Sequence, residues 1–272
     1  MDTRRMFMKD YKGAVFFDFD GTLVDEKADI YVPTETTKKS IAALKENDYM
    51  TCLATGRAMC YIPETKIEFD CYITSNGSCA TVDGEYVIND IMETNELIEL
   101  IDFFDKNGYG YIVENDRECF YSKTNQESFI KMMNNFNIDM SCFFPFPDDI
   151  ASVAANKMMF TYNGDRAYAE FIGRFGDKYN ITRHRSNPSG DLVKKKINKA
   201  FGINAVIKAY NLELSDTYAF GDGENDYEMI EAVGNGIVMG KHAAPLEGIA
   251  DHITDTVINE GVTLGLKHYG LI

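Results

Sequence analysis

Residues 14–22, AVFFDFDGT, constrain the fold more than any other segment of the chain. Four apolar residues, 14–17, predict a buried strand, and Asp18 and Asp20 follow it at once. Because side chains alternate along a strand, both aspartates emerge on one face at its carboxyl end. In an open α/β sheet, that end is where ligands bind. Two neighbouring carboxylates repel each other unless a cation or a proton lies between them, so the segment predicts an acidic ligand site.

A calcium-binding loop is the main alternative for these aspartates. An EF-hand loop requires Gly at its sixth position and Glu at its twelfth. Counted from Asp18, those positions hold Leu23 and Asp29. The segment therefore favours an acidic site at the end of a strand over an EF-hand.

The apolar periodicity after this segment predicts a parallel sheet with an insert. Apolar strands at 50–54 and 71–74 both end in polar loops, and a helix opens at 33–34 before the first of them. A strand–helix–strand order of this kind is typical of parallel sheets. From about residue 93 the pattern becomes mixed. Further helices are predicted there near residues 98–107, 125–136 and 166–175.

The alternation of predicted strands and helices that is typical of a doubly wound sheet resumes near the C-terminus, where a strand is predicted at 216–220. We therefore predict an α/β fold with a doubly wound, mainly parallel, Rossmann-like core sheet and an inserted α+β domain. The predicted core comprises residues 1–82 and 187–272, and the predicted insert comprises residues 83–186.

A second acidic segment, GDGEND, occupies residues 221–226 between a predicted strand and a helical run. Asp222 therefore lies at another strand end, where it can join Asp18 and Asp20 around a hard cation. Mg²⁺ fits best, because it takes a few oxygen ligands and keeps several waters. Asp226 is a further candidate for this metal site, as an acceptor of hydrogen bonds from the waters. In isolation, such a segment is more often an acidic turn that caps a helix.

Two other segments suggest phosphate binding. Thr55, Gly56 and Arg57 follow the strand at 50–54, and a hydroxyl with free backbone N–H groups at that position suits a phosphate. Lysines at 194–196 and 199 crowd the start of a predicted helix. A solvated helix face is the ordinary interpretation of such a cluster.

These four segments, in their order along the chain, resemble the motifs of the haloacid dehalogenase (HAD) superfamily. DFDGT resembles the first motif, DxDGT; TGR the second, and GDGEND the acidic GDGxND motif. KINKA resembles the third motif and selects Lys199 as its lysine, although Lys196 stays an alternative. Residues 75–77, SNG, resemble a segment of the Cof-type branch, which carries a cap of the C2 type. Lys241 and His242 depart from an MGNA-like segment of the family, with a consequence that the sequence leaves open.

The resemblance implies a Mg²⁺-dependent phosphatase that hydrolyses small phosphate monoesters, such as sugar phosphates, through an aspartyl-phosphate. It makes the insert a cap domain, and it implies a role for each matching residue. The implied roles are catalysis by Asp18, Asp20, Thr55 and Lys199; substrate binding by Gly56, Arg57, Asn76 and Asn225; and metal binding by Asp18, Asp20, Asp222 and Asp226. Two alternatives stay open: a sugar phosphomutase with the same aspartyl-phosphate chemistry, and a non-catalytic binding protein on the same fold.

Composition narrows the class of partner. The net charge of −16 argues against a general nucleic-acid binder, because phosphate backbones select for Lys and Arg. No apolar segment approaches the roughly 20 residues that span a bilayer, and the N-terminal residues lack the apolar stretch of a secretory signal. We therefore expect a cytoplasmic protein whose partner is a small phosphorylated metabolite, with no nucleic acid or membrane partner. The oligomeric state is left open.

The six cysteines give no local signal of a metal site. They form no CxxC pair and have no histidine at zinc-finger spacing. Most lie in apolar runs, so we expect them to behave as small buried hydrophobic residues.

Overall fold

The computed structural model describes residues 9–123, 130, 133, 138–184 and 187–272. Within these ranges there are fourteen strands: β1 Gly13–Phe17, β2 Tyr49–Ala54, β3 Cys71–Thr74, β4 Cys79–Val82, β5 Glu85–Asn89, β6 Gly110–Glu114, β7 Cys119–Tyr121, β8 Phe143–Pro145, β9 Lys157–Thr161, β10 Tyr179–Arg183, β11 Ser189–Lys194, β12 Thr217–Gly221, β13 Asn235–Val238 and β14 His252–Ile253. The helices of the same ranges are α1 Glu35–Glu46, α2 Thr94–Asn107, α3 Gly164–Phe175, α4 Lys199–Tyr210, α5 Tyr227–Glu231 and α6 Gly261–His268. The helix predicted at 125–136 falls almost entirely outside the described residues.

The larger sheet has eight strands in the order β14-β13-β12-β1-β2-β3-β4-β5. The strands from β14 to β3 are parallel, and β4 and β5 continue the sheet as an antiparallel hairpin. Because β1 lies between β2 and β12, the carboxyl ends of three neighbouring strands meet at one edge. This topology confirms the predicted doubly wound, mainly parallel core.

The smaller sheet has six strands in the order β10-β11-β9-β6-β7-β8. Most of its pairs are antiparallel, and only β7 and β8 pair in parallel among the strands described. The edge position of β8 suits its Pro145, which cannot donate a ladder hydrogen bond. This sheet, together with α2 and α3, is the predicted α+β insert.

Strand pairing shifts both predicted boundaries of the insert. β5 lies within 83–186 but pairs with β4 of the larger sheet, and β11 lies within 187–272 but pairs with β9 and β10 of the smaller one. A strand–turn–strand pattern looks the same in either sheet, so local periodicity did not reveal to which sheet each strand belongs. We therefore propose that the cap comprises residues 90–194.

The two sheets have separate apolar cores. Strand β1 is fully buried, with side chains packed on both faces of the larger sheet. The smaller sheet packs against α2 and α3 through a cluster of aromatic rings, including Phe104, Phe160 and Phe171. The ring centroids of Phe160 and Phe171 lie 4.4 Å apart, and those of Phe104 and Phe171 lie 5.3 Å apart. Burial of this aromatic surface stabilises the cap independently of the core.

A helix that crosses a membrane needs about 20 consecutive, mainly apolar residues. Within the described part of the chain, no helix combines the length and apolar character needed to cross a membrane.

We predict that Phe104→Ala lowers the free energy of unfolding by about 3–5 kcal/mol, because it leaves a cavity among fully buried rings. Phe144→Ala is the matched control, since Phe144 lies on the edge strand with 45% of its surface exposed. Urea denaturation followed by circular dichroism measures both changes. A loss at Phe104 no larger than that at Phe144 would contradict the aromatic core described for the cap.

Candidate active site

The adjacent strands β1 and β12 bring the two acidic segments together. Phe17 and Phe220 are partners in the parallel register, and the backbone N–H of Asp18 donates to the carbonyl of Phe220 at 2.9 Å. The carboxylates of Asp18, Asp222 and Asp226 each offer an oxygen within 4.8 Å of the others. Residues about 200 positions apart in the sequence therefore form one acidic cluster.

Gly21 allows the two acidic loops to approach closely. Its φ is +96°, a left-handed backbone conformation that residues other than glycine rarely adopt. A Cβ at this position would lie 2.2 Å from Oδ2 of Asp222, which is well inside contact distance. The next residue, Thr22, donates its hydroxyl to Oδ1 of Asp222 at 3.2 Å. The DGT part of the first motif thus shapes the cavity and holds the second acidic loop.

Lys199 is the cation of this cluster. It is fully buried at the start of α4, and its Nζ donates to Oδ1 of Asp18 at 2.5 Å and to Oδ1 of Asp226 at 2.6 Å. Burial alone would lower the pKa of Lys199, but the adjacent Asp18 and Asp226 raise it above its ordinary value. Lys199 therefore stays charged. Lys196, the alternative in the sequence, is exposed to solvent.

The N-terminus of α4 is fixed by the loop at 75–77. Gly77 has φ +94°, and a Cβ on it would lie 2.0 Å from the carbonyl oxygen of Asn198. Asn198 caps the helix by accepting a hydrogen bond from the backbone N–H of Phe201 at 2.9 Å. Because the loop packs closely against Asn198, the first turn of α4 holds Lys199 next to Asp18.

The cluster carries an excess of negative charge. Three carboxylates face one lysine, which leaves two more negative charges than positive ones when all are ionised. Burial raises the pKa of Asp18 well above its ordinary value, and the charge of Asp226 adds to this effect. Burial likewise raises the pKa of Asp222 to about 7. A divalent cation with oxygen ligands, such as Mg²⁺, suits this donor set because it would remove the excess charge.

Asp226 has a mainly structural role in this geometry. Its Oδ2 accepts hydrogen bonds from the backbone N–H groups of Asp222 and Gly223 at 2.9 and 2.8 Å. Its Oδ1 accepts from Lys199, so both oxygens are already engaged. Asp226 therefore holds the acidic loop and Lys199 in place, and Asp18 and Asp222 are better placed to bind a metal directly.

Asp20 lies apart from this cluster and is paired with Arg57. The guanidinium donates from Nε to Oδ2 of Asp20 at 3.0 Å and from Nη2 to Oδ1 at 2.7 Å. Arg57 is itself buried, and it lies over the ring of Phe19 with 5.3 Å between guanidinium and ring centre. The family resemblance implied substrate binding by Arg57; its side chain pairs with Asp20, and Arg57 also lines the cavity described below. Bidentate pairing of this kind fixes a carboxylate in one direction.

Most of the predicted site residues line one cavity of about 640 Å³ between the core and the cap. Those lining it are Asp18, Asp20, Gly56, Arg57, Asn76, Asp222 and Asn225. Thr55 is buried next to Gly56, and its Oγ1 accepts from the backbone N–H of Arg57 at 3.1 Å, which leaves its hydroxyl proton available for donation. The structure therefore brings together the segments that the motifs identified.

Asn76 connects the core to the cap. It adopts a left-handed backbone conformation with φ 54°, and its Nδ2 donates to Oδ2 of Asp191 at 3.2 Å. Its Oδ1 is buried and has no hydrogen-bond partner among the residues described. Asn76 thus presents an acceptor at the boundary of the cavity, in keeping with the substrate-side position predicted for it.

The sequence analysis missed a buried ionic network on the cap side of the cavity. Lys157 donates to the carbonyl of Gly56 at 2.7 Å and lies 3.2 Å from Glu114 and 3.3 Å from Asp191. Burial opposes ionisation of Asp191, but Lys157 and then His184 hold its pKa below its ordinary value. Lys157 opens an apolar strand, KMMFT, and no motif surrounds it, so no local pattern predicts this role.

The chain matches a known protein family over most of its length. A family model described as haloacid dehalogenase-like hydrolase matches residues 15–266. The chain belongs to this family. The match confirms the resemblance drawn from the four motifs, and with it the predicted enzyme class, a HAD-like phosphoric monoester hydrolase.

The alignments with individual relatives cover nearly the whole length of this HAD-like hydrolase. The putative phosphatase YkrA of Bacillus subtilis (strain 168) is 26% identical over 264 residues, covering 95% of this chain and 98% of the relative. The 5-amino-6-(5-phospho-D-ribitylamino)uracil phosphatase YitU of the same organism is 24% identical over 274 residues, covering 94% of this chain and 96% of that protein. Among solved structures, the HAD subclass IIB sugar phosphatase BT4131 has a TM-score of 0.82 at 23% identity, covering 96% of this chain and all of that one. This last likeness shows a shared fold.

We predict that Lys199→Met lowers kcat by about 100-fold or more, because the variant loses the positive charge that faces the reacting groups. Lys196→Met is the matched control: a change at an exposed side chain alters energies by about 0.5 kcal/mol or less, so its activity should stay near wild type. Phosphate release from an aryl phosphate measures both. Equal losses in the two variants would contradict the assignment of Lys199 as the active-site lysine.

Proposed function

We propose that this hydrolase is a Mg²⁺-dependent phosphatase that cleaves small phosphate monoesters through an aspartyl-phosphate on Asp18. One observation carries the proposal: the buried carboxylate of Asp18 lies 2.5 Å from the ammonium of Lys199 and offers an oxygen within 4.8 Å of one from Asp222. A nucleophile in this position has a cation to offset its charge and a partner carboxylate for a metal. We further propose that the enzyme acts in the cytoplasm, in keeping with its acidic composition.

The first half-reaction transfers the phosphoryl group to the enzyme. An oxygen of Asp18 attacks phosphorus and forms a P–O bond, while the bond to the leaving oxygen breaks. Asp20, held by Arg57, donates its proton to the leaving alcohol. Thr55 and Lys199 bind the phosphoryl oxygens, so the substrate phosphate is oriented for in-line attack.

The second half-reaction regenerates the enzyme. Asp20, now ionised, takes a proton from a water that attacks the phosphorus of the aspartyl-phosphate. The bond between phosphorus and Asp18 breaks, and inorganic phosphate leaves with the carboxylate restored. Asp20 is protonated again, so the proton count of the full cycle is that of hydrolysis.

Asp18 and Asp222, with the carbonyl of Asp20, are the groups that we propose hold Mg²⁺. When bound, the ion neutralises charge on the phosphoryl oxygens and on the carboxylates. Burial, and then the charge of Asp226, raises the pKa values of Asp18 and Asp222, and a bound cation would favour their ionised forms. Asp226 supports the site by ordering the loop that carries Asp222.

The cap side of the cavity favours a polar leaving group. Lys157, Asp191 and His184 line it and offer both donors and acceptors. This supports a substrate rich in hydroxyl groups, such as a sugar phosphate or a related phosphorylated metabolite. The names of two relatives agree, since one acts on a phosphoribitylamino compound and the other is a sugar phosphatase.

The decisive experiment is a phosphate-release screen over a panel of phosphorylated metabolites, with Mg²⁺ and with a chelator. The proposal predicts release from a subset of monoesters with Mg²⁺ and none with the chelator. Failure to hydrolyse any phosphoester would contradict it. Activation by a bisphosphate with little free phosphate would instead favour a phosphomutase.

In the same screen, we predict that Asp18→Asn lowers kcat by at least about 1,000-fold, because the amide cannot act as the nucleophile. The substitution is nearly isosteric, so circular dichroism and the unfolding midpoint should show a folded protein. Normal turnover by this variant would refute the assignment of Asp18.

Arg57 gives a separate test of the general acid. We predict that Arg57→Gln lowers kcat/KM for alkyl phosphates at least about tenfold more than for p-nitrophenyl phosphate, because a poor leaving group needs the proton of Asp20. The kcat/KM ratio is the right measure, since it reports the steps up to departure of the leaving group. Asp20→Asn should show the same preference. An equal loss on both substrates would show that Arg57 does not position the acid.

A further inference from the structure

Three cysteines from separate segments meet outside the catalytic cluster. Cys60 lies in the turn that follows the TGR segment of the core, Cys119 opens β7, and Cys142 ends a short 3-10 turn before β8. Their three Sγ atoms all lie within 4.8 Å of one another, and those of Cys60 and Cys119 are 3.6 Å apart. The cluster therefore joins a core loop to two segments of the cap.

Apolar side chains pack around the buried part of this cluster. Ala58, Phe143 and Met159 belong to the same buried group as Cys119. Cys119 is fully buried, while Cys60 and Cys142 are partly exposed. The partial exposure of these two cysteines gives a small ion a route to the sulfurs.

The sulfur geometry is close to that of a thiolate metal site. A Zn–S bond of about 2.3 Å in a tetrahedron places neighbouring sulfurs about 3.8 Å apart. The Cys60–Cys119 separation of 3.6 Å is close to this value, and a shift of about 1 Å brings in the third sulfur. A disulfide would use two of the three sulfurs and leave the third unexplained.

The protonation of the thiols also suits a metal. A hydrogen bond from Cys119 lowers the pKa of the Cys142 thiol to about 7, so that a thiolate is available at neutral pH. Burial raises the pKa of Cys119 above its ordinary value. Binding of a cation must therefore displace the proton of Cys119, and affinity should rise with pH.

We propose that Cys60, Cys119 and Cys142 form a binding site for one thiophilic cation of the zinc class, which ties the cap to the core. The ion takes three thiolate ligands, and a water from the exposed side completes a tetrahedron. This site is distinct from the carboxylate cluster, because sulfur ligands select softer ions than the oxygen ligands of Asp18 and Asp222 do. The proposal does not depend on the substrate of the enzyme.

The test uses the full-length, reduced and metal-free protein, titrated with Cd²⁺ in the presence of excess Mg²⁺. We expect one Cd²⁺ per chain with the ultraviolet charge-transfer absorption of cadmium–thiolate bonds. Zn²⁺ should displace it and raise the thermal unfolding midpoint, because an ion that binds only the folded state stabilises that state.

Cysteine variants identify the ligands. Loss of even a group that orients a ligand costs about 10- to 100-fold in metal affinity, so Cys60→Ser and Cys142→Ser should weaken Cd²⁺ binding by at least about tenfold. Both residues are partly exposed, which makes these variants safer for folding than Cys119→Ser. Cys79→Ser is the matched control, since Cys79 is a buried cysteine of β4 outside the cluster.

Three outcomes would overturn the proposal. The first is absence of the charge-transfer band in the wild-type protein. The second is a band of equal strength and affinity in Cys60→Ser, Cys142→Ser and wild type. The third is formation of a Cys60–Cys119 disulfide, detected by mass spectrometry after oxidation, in a protein whose reduced form binds no Cd²⁺.

Discussion

The ammonium of Lys199 between Asp18 and Asp226 is the interaction on which the rest of the site depends. A buried lysine is costly unless it is paired, and buried carboxylates are costly for the same reason. Here each offsets the cost of the other, while the third carboxylate, Asp222, leaves an excess of negative charge. That excess suits a divalent cation, which is the basis of the metal site that we propose.

This ionic centre requires that three loops approach one another closely. Gly21 lets the first acidic loop lie against Asp222. Gly77 lets the 75–77 turn pack on Asn198, the residue before the helix that carries Lys199. Side chains at either position would meet neighbouring atoms at 2.0–2.2 Å. The glycines of the motifs therefore act through geometry, while the acidic and basic residues supply the chemistry. The cap completes the enclosure through Lys157, which donates to the carbonyl of Gly56.

Much of the core could be predicted because its signals are local. An apolar run followed by Asp-x-Asp specifies a strand and the face on which its acids emerge, and parallel pairing then places strand ends together. The limits of the cap were harder to predict, because β5 and β11 carry the same short alternating patterns whichever sheet they join. Lys196 and Lys199 could not be separated by pattern alone, since burial depends on how α4 packs.

The sequence by itself determined the fold class and the acidic character of the strand ends in the core, because strand alternation and turn chemistry are properties of adjacent residues. Only the tertiary structure decided that Arg57 pairs with Asp20, that Lys157 reaches the core, and that Cys60, Cys119 and Cys142 converge. The paired residues are 37 positions apart for Arg57 and Asp20 and 101 positions apart for Lys157 and Gly56. Successive cysteines of the cluster are 59 and 23 positions apart. No local pattern encodes such contacts, because they follow from how the strands of each sheet pair and from how the cap packs against the core.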